Sequence, residues 1–185
     1  NTRENKARGL ILHDTLAFSE AGTPLGLLDV QCWARDEETA GKRYRRKELP
    51  LEQKESIKWL RSYRRLCELQ RLCPETTLVS VADREADIFE LFYEAGRNPS
   101  GPKVLIRAER SRKRYIEQGR LWEEMAKKPV AGFHSIRIPH KGNRPQRTAE
   151  LAIRFALVTL QPPKAKGLEP IAIWAVYARK VDHSA

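Results

Sequence analysis

Two short apolar runs, Thr76–Ala82 (TTLVSVA) and Lys103–Arg107 (KVLIR), stand on either side of a segment patterned as a helix. Runs this short, bounded by turn signals, read as buried strands. Between them, Asp87 with Glu90 three residues later has the form of a capping box, and Gly96 ends the helix. Strand, helix and strand in that order require a sheet with a helix packed on it. The rest of the chain has to fit around that unit.

Before it, Gly9–Phe18 and Pro24–Arg35 flank the turn-forming SEAGTP and predict a hairpin. Asp36–Leu49 is polar and carries the basic GKRYRRK, with no periodicity. Pro50–Leu72 predicts a helix, with Leu60, Tyr63, Cys67 and Gln70 on one face backed by Trp59 and Leu66. Lys54, Lys58, Arg61, Arg65 and Glu68 mark the opposite face. The hairpin and the two buried strands are expected to share one mixed sheet, with helices 52–70 and 87–95 packed on it. Leu121–Lys127 predicts a short helix, and from Ala131 onward three strand-like runs follow, AGFHSIRIP, RTAELAIRFALVTL and EPIAIWAVYARKV. The fold class is α/β with a β-rich second part, divided as 1–118 and 119–185.

At 185 residues with 41% apolar content, the chain can bury a real core. No run of about 18 apolar residues is present, so no membrane span is expected. Nor does a signal-type segment open the chain, and the expected setting is the cytoplasm. The start at Asn1 and a strand-like segment close to Ala185 suggest an excised piece of a longer protein. The net charge of +11 is the electrostatic footprint of a nucleic-acid binder. Anionic lipid is the weaker partner, since no basic amphipathic helix with a greasy face is present. Cys32, Cys67 and Cys73 fit no zinc spacing and read as reduced, mostly buried thiols. His13, His134, His140 and His183 lack ligand spacing as well, and Trp33, Trp59, Trp122 and Trp174 read as packing residues.

Asp83 ends the first buried strand. It can cap the helix or hold a ligand, because ligand sites in α/β sheets gather at the carboxyl ends of strands. Asp87 already occupies the expected cap position, which weakens the first reading. Spacing alone leaves both open. The run Arg107, Arg110, Arg112, Lys113 and Arg114 follows the second buried strand, and Lys141, Arg144 and Arg147 form another basic group between later strands.

VADREADIFE, with the apolar strand before it, resembles the second-aspartate motif of the DDE transposases of bacterial insertion sequences. More narrowly, it resembles the branch with a β-rich insertion in a ribonuclease H-like core. RGLILHDTLAF and PLGLLDVQCWAR resemble that branch's second and third strands, and QKESIKWL is similar to its helix signature. KVLIRAERSRKR resembles the basic strand end after the motif, and IWAVYARKV an insertion strand. The resemblance implies an incomplete ribonuclease H-like mixed sheet with flanking helices and a truncated insertion. It also implies DNA nicking and strand transfer at transposon ends, with two Mg²⁺ or Mn²⁺ ions held by two aspartates and a glutamate. Asp83 matches the second aspartate and is the expected catalytic and metal-binding residue. The other two carboxylates would lie outside this chain, so the fragment is expected to bind Mg²⁺ or Mn²⁺ only weakly, with none held as a resident cofactor, and to be inactive. Asp14 matches the second strand instead, and Asp29 reads as an ordinary strand acid. Duplex DNA is the implied partner, with the intact protein dimeric on it. Arg107, Arg110, Arg112, Lys113 and Arg114, and more weakly Lys141, Arg144 and Arg147, would contact phosphates. Two rivals remain: a DNA-binding remnant of a decayed element, and a metal-dependent nuclease of the same fold.

Overall fold

The hairpin comes first in the computed structural model, which describes residues 9–34, 54–163 and 167–181. Strand β1 (Leu10–Phe18) pairs antiparallel with β2 (Pro24–Ala34). Its turn is closed by Ser19, whose carbonyl accepts from Gly22 N–H at 2.9 Å. Gly22 takes a positive φ of 83° there, a conformation that costs glycine least. Helix α1 (Ile57–Leu72), strand β3 (Val79–Ala82), a 3-10 turn at Arg84–Ala86, helix α2 (Phe89–Gly96) and strand β4 (Lys103–Ile106) follow. The basic segment Asp36–Leu49 and the expected first turn of α1 before Lys54 lie outside the described residues.

The chain divides into two compact units, Asn1–Ala108 and Glu109–Ala185. In the first, β3 and β4 pair in parallel, from Val79 against Lys103 to Ala82 against Ile106, with α2 as the crossover between them. Leu60, Tyr63, Ala86, Ile88 and Leu91 form the core, with Ala82, Val104 and Ile106 packed against it. Gln70 on the inner face of α1 uses its whole amide: Nε2 donates to the Cys73 and Thr76 carbonyls, and Oε1 accepts from Leu78 N–H. That side chain therefore ends the helix and starts the path into β3. Arg64 on α1 grips Glu94 on α2 through two bonds of 2.9 Å.

One expectation is corrected here. The hairpin and the β3–β4 pair are separate two-stranded sheets, not four strands of one sheet. The hairpin satisfies its inner edges by itself, and contact with α1 holds it to the unit. Each small sheet has one packed face and one bare apolar face. Leu10, Leu12, Leu16 and Phe18 are exposed on β1, while Val81 and Leu105 of the parallel pair are 70% and 60% exposed.

Among the described residues, the second unit is a five-stranded sheet with one helix. A tight pair, β5 (Tyr115–Ile116) and β6 (Gly119–Arg120), leads into α3 (Leu121–Lys127), then β7 (Gly132–Ile138), β8 (Arg147–Leu160) and β9 (Ile171–Lys180). The long β8 is the organiser. It pairs with β7 over its first half, with β5 through Leu160 and Ile116, and with β9 from Leu151 to Leu160. Ile116, Leu121, Met125, Ala152, Val158 and Leu160 are buried. Trp122 of α3 meets Tyr177 of β9 edge-on, with ring centroids 6.0 Å apart.

Two side-chain expectations also fail. Trp174 is exposed on β9, because its neighbours Ala175 and Ile173 point to the other face of the strand while it and Val176 share the bare face. Cys32 is exposed as well, on the bare face of the hairpin opposite Leu12, whereas Cys67 and Cys73 are half-buried; all three are free thiols. Among the described residues, no helix is long and apolar enough to cross a membrane.

Candidate functional site

Asp83 follows the last residue of β3, at the carboxyl end of the parallel pair. Its backbone is extended, and its Oδ1 accepts from Glu85 N–H at 2.9 Å, so it caps the 3-10 turn Arg84–Ala86. The cap expected at Asp87 is not found. Helix α2 starts two residues later, with Ile88 at its N-cap and no side-chain cap bond. Asp87 is instead buried at 2% exposure. The 3-10 turn is the cause, since it takes up the residues on which a capping box would have to close. Asp83 is exposed, and its second oxygen makes no hydrogen bond among the described residues.

Arg107 lies beside it. Its N–H donates to the Ala82 carbonyl at 3.1 Å and carries the β3–β4 ladder one step further. An acid and a base thus sit at the ends of adjacent parallel strands, where α/β sheets place ligands. Glu85 is drawn the other way, toward α1, by Lys58 at 3.0 Å. Glu85 is largely exposed, so this pair contributes little stability. It does tie α1 to the turn whose backbone N–H holds Asp83.

Sequence reasoning missed a polar cluster joining the hairpin to α1. Gln31 Nε2 lies within hydrogen-bond distance of Asp29 Oδ2, the Lys58 carbonyl and Ser62 Oγ, and Ser62 Oγ donates to Asp29 at 3.3 Å. His13 packs edge-on against Trp59 with ring centroids 4.6 Å apart. Burial, and then the Lys58 charge, hold its imidazole below the ordinary value. A polar Gln31 alternating with apolar Val30 and Cys32 in β2 was the one available signal, and it gives no partner.

The basic residues separate. Arg110, Arg112, Lys113 and Arg114 belong to the second unit. Their segment folds back on itself, with Glu109 carbonyl accepting from Arg112 N–H and Arg114 carbonyl from Leu121 N–H. Arg110 and Lys113 are exposed, and Arg112 and Arg114 are half-buried. Lys141 and Arg144 face each other across a tight turn, exchanging both backbone hydrogen bonds at 3.1 Å, with Gly142 at positive φ. Like charges set directly opposite are unfavourable unless an anion joins them. Arg147 opens β8 next to this turn. The two groups flank opposite ends of β8, so they do not form one patch.

Among the described residues, no three His, Cys, Asp or Glu side chains come together to hold a metal ion. Asp83 offers one carboxylate, Glu85 is paired with Lys58, and Asp87 is buried, so these residues do not by themselves fit a two-metal centre. The fold and site define a mixed α/β protein with an exposed acid at a parallel-strand terminus and a second, basic β-sheet unit. Compared with known protein families and with curated proteins, the chain matches none.

Proposed function

We propose that this chain is a middle portion of a DDE-type transposase, comprising part of a ribonuclease H-like core and a β-rich insertion. Its own contribution is binding of duplex DNA and one carboxylate, Asp83, of a two-metal phosphoryl-transfer centre. The observation that carries this reading is the placement of Asp83 at the carboxyl end of β3, next to Arg107, inside a strand–helix–strand unit. The net charge of +11 supports a polyanionic partner. In the intact centre, hard cations would activate the attacking oxygen and stabilise the leaving one. This chain's residues would supply Asp83 to the cations and Arg107 to a neighbouring phosphate.

A second reading is a DNA-binding piece without chemistry, favoured by the lack, among the described residues, of any three His, Cys, Asp or Glu side chains placed to hold a metal ion. The two are separated by Mn²⁺ titration, followed by electron paramagnetic resonance, with duplex DNA present. The transposase reading expects weak binding that Asp83→Asn removes and no cutting of supercoiled plasmid by the chain alone. Binding unaffected by Asp83→Asn would leave the DNA-binding reading. Metal-dependent nicking abolished by Asp83→Asn would show that the chain completes its own site, against both.

A further inference from the structure

The β1–β2 hairpin adds no residue to the core of its unit. None of its described residues is buried, and only helix and β3–β4 residues pack against the cluster of Leu60, Tyr63, Ala86, Ile88 and Leu91. Its strands pair only with each other. Its docking on α1 runs through polar and aromatic contacts. Gln31 Nε2 reaches Ser62 Oγ at 2.9 Å and the Lys58 carbonyl at 3.1 Å, and His13 stands against Trp59. An element that buries so little apolar surface opens locally at lower cost than the whole domain unfolds.

His13 is where that seam is weakest. Its Nε2 is buried and finds no hydrogen-bond partner among the described residues. A neutral ring can carry its one proton on Nδ1, whereas an imidazolium must bury a second N–H at Nε2 without an acceptor. The charges that act on it are Lys58 of α1, Asp14 and Asp29 of the hairpin, and Glu85 of the turn after β3. Asp29 already accepts from Gln31 and Ser62, Glu85 is paired with Lys58 at 3.0 Å, and Asp14 alternates to the opposite face of β1. None of the three acids lies within hydrogen-bond reach of Nε2. The Trp59 ring gives little relief, since the Lys58 ammonium already stands 5.4 Å from its centroid.

We propose that the hairpin is an acid-released flap: protonation of His13 parts β1–β2 from α1 while α1, α2 and the β3–β4 pair stay folded. The proton goes to Nε2, which is hydrated in the open form. Burial, and then the Lys58 charge, hold the closed-state imidazole below its ordinary value. The closed form is therefore fully favoured above pH 6.5 and loses that advantage as the pH falls through the closed-state value. Each pH unit in that window supplies at most about tenfold in the opening equilibrium. An undocked two-stranded hairpin is marginal in water, so release should melt its ladder. The flap needs no DNA and is independent of any role for Asp83.

Hydrogen exchange of the 185-residue chain at about pH 7 and about pH 5, corrected for intrinsic exchange rates, tests this. At the lower pH the β1 and β2 amides should lose roughly tenfold in protection, while those of α2 and β4 keep theirs. His13→Phe still packs on Trp59 but does not titrate, and should abolish the loss. An NMR titration of the His13 ring in the wild type decides the matter even if that variant fails to fold. A ring that titrates at or above 6.5 would overturn the proposal. So would hairpin amides that keep their protection at about pH 5, that exchange in step with α2 and β4, or that lose it equally in His13→Phe.

Discussion

The two basic groups of the second unit are separated by the length of β8, and that distance predicts how the proposed DNA binding should depend on duplex length. From Arg147 to Leu160 the strand takes thirteen steps, which at about 3.4 Å per residue is roughly 44 Å. A duplex rising about 3.4 Å per base pair needs about 13 base pairs to reach both ends. On longer duplexes, each neutralised phosphate adds about −0.9 to the slope of log affinity against log salt. Replacing Arg110, Arg112 and Lys113 by Ala should flatten the slope by about two to three, and Lys141, Arg144 and Arg147 by a similar amount. The two losses should add. Arg114 is kept in place, since its half-buried side chain is already engaged within the fold. On a duplex of about 8 base pairs, only one group at a time can bind, so either triple change alone should leave the slope nearly unaltered. Fluorescence anisotropy across a salt series reads all of these. A long-duplex slope untouched by both triple changes would show that these side chains are solvated surface. Additive losses on the short duplex would show that the groups lie close enough to share it, against the strand geometry.

Asp83→Asn should change stability by less than about 0.5 kcal/mol, because the amide oxygen can still accept from Glu85 N–H; a chemical-denaturation loss several times larger would make the charge structural. Gln31→Leu should cost about 1–3 kcal/mol by removing the donor that Asp29, the Lys58 carbonyl and Ser62 share, and an unchanged denaturation midpoint would mean that the polar cluster is not what ties the hairpin to α1. Leu60→Ala, in the core of the first unit, should cost about 2–5 kcal/mol in the same assay, whereas a loss below about 1 kcal/mol would mean that α1 is not packed on this core. His13 titrates below its ordinary 6.5 in the folded chain, so the unfolded chain takes up the proton more readily. Stability is then complete above pH 6.5 and is lost as the pH falls through the folded value. His13→Phe should remove that loss, and thermal unfolding at about pH 7 and about pH 5 would expose an error if the acid sensitivity persists undiminished.

Local pattern alone determined where most elements lie. The helix at Leu121–Lys127, the end of α2 at Gly96, the hairpin, and Gln70 on the buried face of α1 all follow from periodicity and turn chemistry within a few residues of chain. Asp83 was legible as the end of a strand for the same reason. The choice between Asp83 and Asp87 as the cap was not, because it depended on a 3-10 turn whose hydrogen bonds carry no strong residue preference. Tertiary structure alone decided that the hairpin and the parallel pair stay apart, and that Arg107 sits beside Asp83. It also separated the basic groups along β8 and left Trp174 bare on an open edge. Strand pairing and the joining of Gln31 to Ser62, 31 residues apart, are set by which surfaces remain to be covered once the local elements exist. Residues near in sequence record how a segment folds, whereas their partners are chosen by competition across the whole chain for burial and hydrogen bonds.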